Sequence, residues 1–221
     1  MNWPSPRTLI ISAIALVGLA AAAFGGWYWY DSQQRRVAAA YADVMTRAYA
    51  AQAPQAPADA RVKAARDLEQ VIAQYSTGSA AGDAAYELGN LRYAAQQYAP
   101  ARGAFEMAVA RAGSPTVRTL ARTSIGYTWE AERNFAKAVE AYQAVAKDLG
   151  PKDFLYEQAL LDLGRAQELA GRTPDAIATY QRLLNDVPAA RRGDDVRGRL
   201  GALGAPTPAP VPAAPVTPAG R

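Results

Sequence analysis

Cysteine and histidine are both absent from this chain of 221 residues. Without cysteine there is no disulfide framework, no thiol nucleophile, no thiolate metal site and no thiol to carry a lipid. Without histidine the usual general base is missing, and with it the Ser-His-Asp triad and most transition-metal sites. No segment reads as a strand, so no glycine-rich phosphate loop can follow one. The carboxylate pairs Asp194-Asp195, Glu130/Glu132 and Asp83/Glu87 are of the kind amphipathic helices produce constantly. The chain therefore reads as a non-enzyme, with no metal, no cofactor and no small-molecule substrate expected.

Concentrated charge of one sign is also lacking. Lysine and arginine number 24 against 20 acidic residues, a formal net charge of +4. The two signs are interleaved, as in Arg61, Lys63 and Arg66 followed by Asp67 and Glu69, which is the pattern of a solvated helix face. The densest basic cluster, Arg191, Arg192, Arg197 and Arg199, is broken by Asp194 and Asp195 and has no aromatic stacking platform. Nucleic acid is not an expected partner.

What is present begins with an uncharged stretch, 8–30. At about 1.5 Å per residue a helix of that length spans roughly 34 Å, against a hydrocarbon core of about 30 Å. It closes on Trp27, Tyr28, Trp29 and Tyr30, amphipathic rings suited to the headgroup interface. The expectation is a transmembrane helix over 8–30 behind a short tail, 1–7. The alternative is a cleaved signal peptide with Ala20 to Ala23 as the small-residue site. That would leave four rings near a new N-terminus with no membrane to hold them, which favours the uncleaved anchor. Orientation stays open, because Arg7 and the α-amino group on one side balance Arg35 and Arg36, offset by Asp31, on the other.

The rest is periodic. Glycine recurs at Gly89, Gly126 and Gly164; Ala101, Ala138 and Ala176 follow at a constant offset, and Phe105, Tyr142 and Tyr180 stand one helical turn further on. The interval slightly exceeds the roughly 34 residues of a tetratricopeptide unit, whose pattern these residues resemble. Pro188 falls at the closing proline position of that pattern, and Pro115 and Pro151 lie just past it. Small residues on paired helices let antiparallel backbones approach, and the aromatic is expected to fill the space between one hairpin and the next. Ser114-Pro115 and Thr173-Pro174 each offer an N-cap followed by proline at the first helical position.

Counting one interval back reaches Ala64 and Leu68, so Arg61–Tyr75 is predicted as the second helix of a degenerate first unit. Its partner would be Arg35–Ala51, across the proline-containing segment 53–57. A cap helix is predicted over Ala189–Leu203. The fold class is thus all-α, an N-terminal transmembrane helix followed by a tetratricopeptide-like solenoid of three to four repeats over 31–203. A Pro/Ala-rich tail, 204–221, is expected to be disordered and polyproline-like. It is either a tether or spacer, or a segment with no partner.

Carried over from the repeat resemblance, the inward positions are Tyr86, Asn90 and Tyr93, then Thr123, Tyr127 and Glu130, then Gln158, Leu161, Arg165 and Glu168. Tyrosines along a groove suit an extended or helical polypeptide, offering apolar area with a hydrogen-bonding tip. The competing reading is that these tyrosines only pack between hairpins. Asn90 stands at one position of the carboxylate clamp found in some cochaperones of this fold, but Tyr86 stands where that clamp has lysine, so carboxylate capture is not expected.

A span ending in Gly26-Trp27-Tyr28-Trp29-Tyr30, then DSQQRRVAAAYADVM, then the repeats, resembles the YfgM-type ancillary subunits of the Sec translocon over residues 8–200. The stretch before the span is shorter than in that family, and the proline-rich tail is extra. The resemblance implies a bacterial inner-membrane protein with a periplasmic repeat domain. Its partners would be the translocon, periplasmic chaperones and emerging client chains. A scaffold for envelope assembly or cell division, and a cytosol-facing adaptor, remain as alternatives.

Overall fold

The computed structural model describes residues 24–29, 41–74 and 79–206, and all regular structure among them is α-helical. The chain divides into two units, 1–47 and 48–221. In the first, residues 24–29 form helix with Phe24, Trp27, Tyr28 and Trp29 all exposed. The rings of Phe24 and Trp27 lie 5.9 Å apart. Residues 41–47 are also helical, with Arg47 paired to Asp43 at 2.6 Å. Among the described residues no helix is long and apolar enough to cross a membrane. The expected span over 8–30, apart from 24–29, lies outside the described residues, as do Tyr30 and the tail from 207 on.

Helix continues to residue 51 in the second unit, and 41–51 is numbered α1. Then come α2 (Ala58–Gln74), α3 (Ser79–Ala94), α4 (Tyr98–Arg111), α5 (Pro115–Ala131), α6 (Phe135–Asp148), α7 (Tyr156–Leu169), α8 (Thr173–Asp186) and α9 (Gly193–Ala202). From α2 onward each helix packs on the next in sequence. Short turns make α3/α4, α5/α6 and α7/α8 three antiparallel hairpins, and α9 packs on the last.

The apolar spacing explains the helices. In α2 the buried residues are Ala64, Leu68 and Val71, one stripe at helical period. In α6 they are Ala138, Val139, Tyr142, Val145 and Ala146, again one stripe. Helix α7 has neighbours on several sides and buries most of its length, from Tyr156 to Gln167.

The repeated glycines have a definite task. A Cβ on Gly89 would lie 2.4 Å from the Phe105 ring, on Gly126 2.3 Å from Tyr142, and on Gly164 2.4 Å from Tyr180. All three rings are fully buried. The close approach expected at these glycines is present, but its partner differs from the expectation. Each ring sits over the glycine of its own hairpin and also shares an apolar cluster with the helix that follows, Phe105 with Ala121, Tyr142 with Leu160 and Tyr180 with Leu200, as the spacing predicts. Direct backbone approach occurs instead at Gly82, where an added Cβ would fall 2.1 Å from the Ala112 nitrogen.

The hairpin turns repeat as well. Gln96, Arg133 and Gly171 occupy equivalent turn positions with φ of 60°, 59° and 71°. In each, the following amide reaches back across the turn: Gln97 to the Arg92 carbonyl, Asn134 to Trp129 and Arg172 to Gln167. These are left-handed helix terminations, and two of the three hold a side chain where glycine is least strained.

Cap positions were partly legible. The Ser114 oxygen accepts from the Val117 amide at the start of α5. Thr173 is not an N-cap but the first residue of α8, with Arg172 ahead of it. Asn134 caps α6 by accepting from the Lys137 amide. The predicted cap helix is shorter than expected, because turns occupy 188–189 and 191–192 before α9 begins. At the α4–α5 joint, the Arg102 guanidinium lies 3.4 Å over the Trp129 ring and bonds Thr128 and Glu132, while Lys137 of α6 sits 4.3 Å from the same ring.

Two glycines separate the packing role from the helical cost. Gly126→Leu overfills the seat of Tyr142 and should lower stability by about 1–3 kcal/mol or more. Gly103 of α4 is exposed with nothing within 4 Å of an added Cβ. Gly103→Ala should therefore raise stability by about 0.5–1 kcal/mol. Chemical denaturation of both variants checks the pair; similar effects at the two sites would refute the ring-seat assignment.

Candidate partner-binding face

The first helices of successive hairpins form a connected face. Helix α3 touches α5 directly, and side chains tie α5 to α7. Tyr127 donates to Asp162 at 2.7 Å, Gln158 donates to the same carboxylate at 3.0 Å, and Arg165 donates to its other oxygen at 2.8 Å. Arg165 also reaches back to Glu130. Asp162 is only 2% exposed, so these donors are what make its burial affordable.

Similar links occur earlier in the array. Tyr49 lies within electrostatic range of Glu87, Tyr86 faces Ser124, and Tyr127 donates to Asp162. The three partners, Glu87, Ser124 and Asp162, each stand two residues before a repeat glycine. A tyrosine from one first helix thus faces a buried polar group on the next. Glu87 also accepts from Gln52 at 2.6 Å and Asn90 at 3.2 Å. At the end of the array α9 takes the place of a further first helix. Glu168 accepts from Tyr180 and from Arg199, and Glu157 accepts the Arg191 and Arg192 amides at 3.2 and 2.8 Å.

Of the predicted groove residues, Tyr127, Glu130, Gln158 and Arg165 come together in the Asp162 cluster. Tyr86 and Asn90 are half-buried, and the Asn90 amide donates to Glu87. Tyr93 is 38% exposed, with its ring 5.5 Å from Tyr98. Thr123 is buried and donates to the Thr119 carbonyl, Leu161 is buried, and Glu168 is engaged by Tyr180 and Arg199. The Tyr86 ring lies 5.8 Å from Phe105 and the Tyr127 ring 5.6 Å from Tyr142. Both tyrosines therefore pack inside their hairpins, and Tyr127 also bridges to the next one through its oxygen.

Sequence reasoning passed over Tyr49 and set Asp83 aside as an ordinary helix-face carboxylate. The same interval that relates the glycines leads back from Tyr86 to Tyr49, which is 57% exposed. Asp83 precedes Tyr86 and Asn90 at helical spacing. One of its oxygens is sealed from solvent without a hydrogen-bond partner, and burial raises its pKa.

Burial and neighbouring charge set the other ionisations. Burial raises Glu130, opposed by Arg165. Burial alone would lower Arg165, but its bonds to Asp162 and the attraction of Glu130 outweigh that and raise it. Burial, then Asp162, raises Tyr127; burial, then Glu130, raises Tyr142; burial, then the bond to Glu168, raises Tyr180. These phenols keep their protons in the folded chain beyond the usual value near 10. Above that pH the unfolded chain binds fewer protons than the folded one, so stability falls as pH rises. In an alkaline titration followed by ultraviolet absorbance and circular dichroism, the phenolate signal of these three should appear only as helicity is lost. Ionisation of all tyrosines near pH 10 with helicity intact would contradict this.

Comparisons with known proteins agree with this geometry. Residues 158–190, covering most of α7, all of α8 and the turn after it, match the tetratricopeptide repeat family model. No curated protein sequence matches the chain. Among solved structures, the chain is similar to the nearly identical TPR-like repeats of a candidate kinesin light chain from Podosopora anserina. The identity is 18% and the TM-score 0.54, over 76% of this chain and 90% of that one. A point variant of the same repeats aligns at 17% identity, with the same TM-score and coverage. The described helical array has the tetratricopeptide-type repeat fold, a fold that suggests a protein–protein interaction module.

Proposed function

We propose that this chain is a membrane-anchored polypeptide-binding protein whose first-helix face receives extended or helical segments of a partner. The observation that carries the reading is the open end of that face. Tyr49 of α1 and Tyr93 of α3 expose their rings, and Tyr86, Asn90 and Asp83 of α3 are half-buried. Rings with polar tips suit a polypeptide, which brings both apolar side chains and backbone groups. The chain acts by binding rather than by catalysis, as repeat scaffolds of this kind generally do.

The finer reading places the array in the bacterial envelope, tethered by a single inner-membrane span over 8–30 and facing the periplasm. There it would meet the Sec translocon, periplasmic chaperones or emerging client chains. The uncharged stretch, the exposed aromatic residues of 24–29 and the resemblance to YfgM-type subunits support this reading. A groove tethered near a membrane channel samples emerging segments at high effective concentration, so weak contacts suffice.

Reporter fusions at the C-terminus and after Tyr30, with carbonate extraction and a photo-cross-linker at Tyr93, test both levels. The expected result is a membrane-retained chain with its repeats outside the cytoplasm, cross-linking to polypeptides. Tyr49→Ala should reduce that cross-linking several-fold without loss of helicity. A cytoplasmic array would refute the translocon reading and favour an adaptor. A single saturating partner would favour a scaffold. Cross-linking unaffected by Tyr49→Ala would refute the face.

A further inference from the structure

The charges of the binding face are not distributed like those of the chain. The chain as a whole is net positive, yet the α1–α3 end of the face carries the carboxylates of Asp83 and Glu87. Two cations of α2 and α3 are engaged elsewhere: Arg92 pairs with Glu69 at 2.7 Å, and Arg61 bonds the carbonyls of Ala51, Ala53 and Pro54. Further along, Arg165 lies between two carboxylates, Glu130 and Asp162.

The two carboxylates at the α1–α3 end differ in their surroundings. Glu87 accepts from Gln52 and Asn90. Asp83 has a solvent-sealed oxygen with no hydrogen-bond partner, and burial disfavours its charge. Tyr49, more than half exposed, lies within electrostatic range of Asp83, Tyr86 and Glu87. A partly desolvated carboxylate beside aromatic rings gains from an incoming cation twice, through charge pairing and through the ring faces.

We propose that the α1–α3 end of the face takes a cationic polypeptide segment, with a lysine or arginine held by Asp83 and Tyr49 and apolar neighbours lying against Tyr86 and Tyr93. This rests on the polypeptide-binding reading above and specifies its partner. The positive charge of the whole chain works against cationic peptides in general, so a preference for them has to arise locally.

The test uses the full chain in a non-ionic detergent and fluorescence anisotropy of a short labelled peptide in which lysine alternates with leucine and phenylalanine. Two further peptides carry glutamine or glutamate in place of every lysine. The lysine peptide should bind about tenfold more tightly than the glutamine peptide at low salt, with the glutamate peptide weakest. Asp83→Asn should narrow the lysine advantage about fivefold, with helicity by circular dichroism retained. Equal binding of the lysine and glutamine peptides overturns this inference and leaves the polypeptide-binding reading standing. A lysine advantage untouched by Asp83→Asn places the cation elsewhere and also overturns it. Failure of every peptide to bind the folded chain overturns the binding reading itself.

Discussion

The contact between a glycine on one helix and an aromatic ring on the next organises this array. Phe105, Tyr142 and Tyr180 each lie flush against a backbone that has no side chain to displace them. A ring in that seat meets its glycine within a single hairpin, so each hairpin gains part of its apolar contact from residues close in sequence. The alanines at 101, 138 and 176 are fully buried beside these seats. With the hairpin geometry fixed in this way, the first helices are left in register to meet one another along one side.

That register is then joined by polar links. Tyr86 and Tyr127 pack their rings inside the hairpin, and the Tyr127 oxygen crosses to the following one. A buried hydrogen bond is directional where apolar packing is not, so such links fix how far one hairpin turns relative to its neighbour. Polarity therefore varies along the face. The α5–α7 stretch consumes its charges internally, whereas the α1–α3 stretch leaves carboxylate and ring surface for something else.

Much of the fold was legible because its cause is periodic. Gly89, Gly126 and Gly164, with the alanines and aromatics in phase, define three hairpins from spacing alone. What spacing does not carry is direction: it places Gly126 and Tyr142 near a helix–helix contact without saying that one sits on the other. Backbone approach at Gly82 was invisible for the same reason, since no equivalent glycine exists in the other units. Thr173 looked like a cap, but α8 starts one residue earlier than the proline implied. At the candidate face, Tyr86, Asn90 and Tyr93 were found from the repeat. Tyr49 was missed because the interval leads back to it only along the first helix, whereas Ala64 and Leu68 mark the second. The partnering of Glu130, Asp162 and Arg165 depends on side chains meeting across units, which a one-dimensional pattern cannot resolve.

The stacking at Trp129 has a consequence of another kind. The remaining tryptophans, Trp3, Trp27 and Trp29, all precede the repeat hairpins. Trp129 alone is inside the array, with the guanidinium of Arg102 from one hairpin and the ammonium of Lys137 from its own both close to its ring. An indole beside two cations has an emission colour and quenching that depend on both staying in place. The molecule thus carries an optical gauge at the joint between its first two complete hairpins, readable without any attached dye.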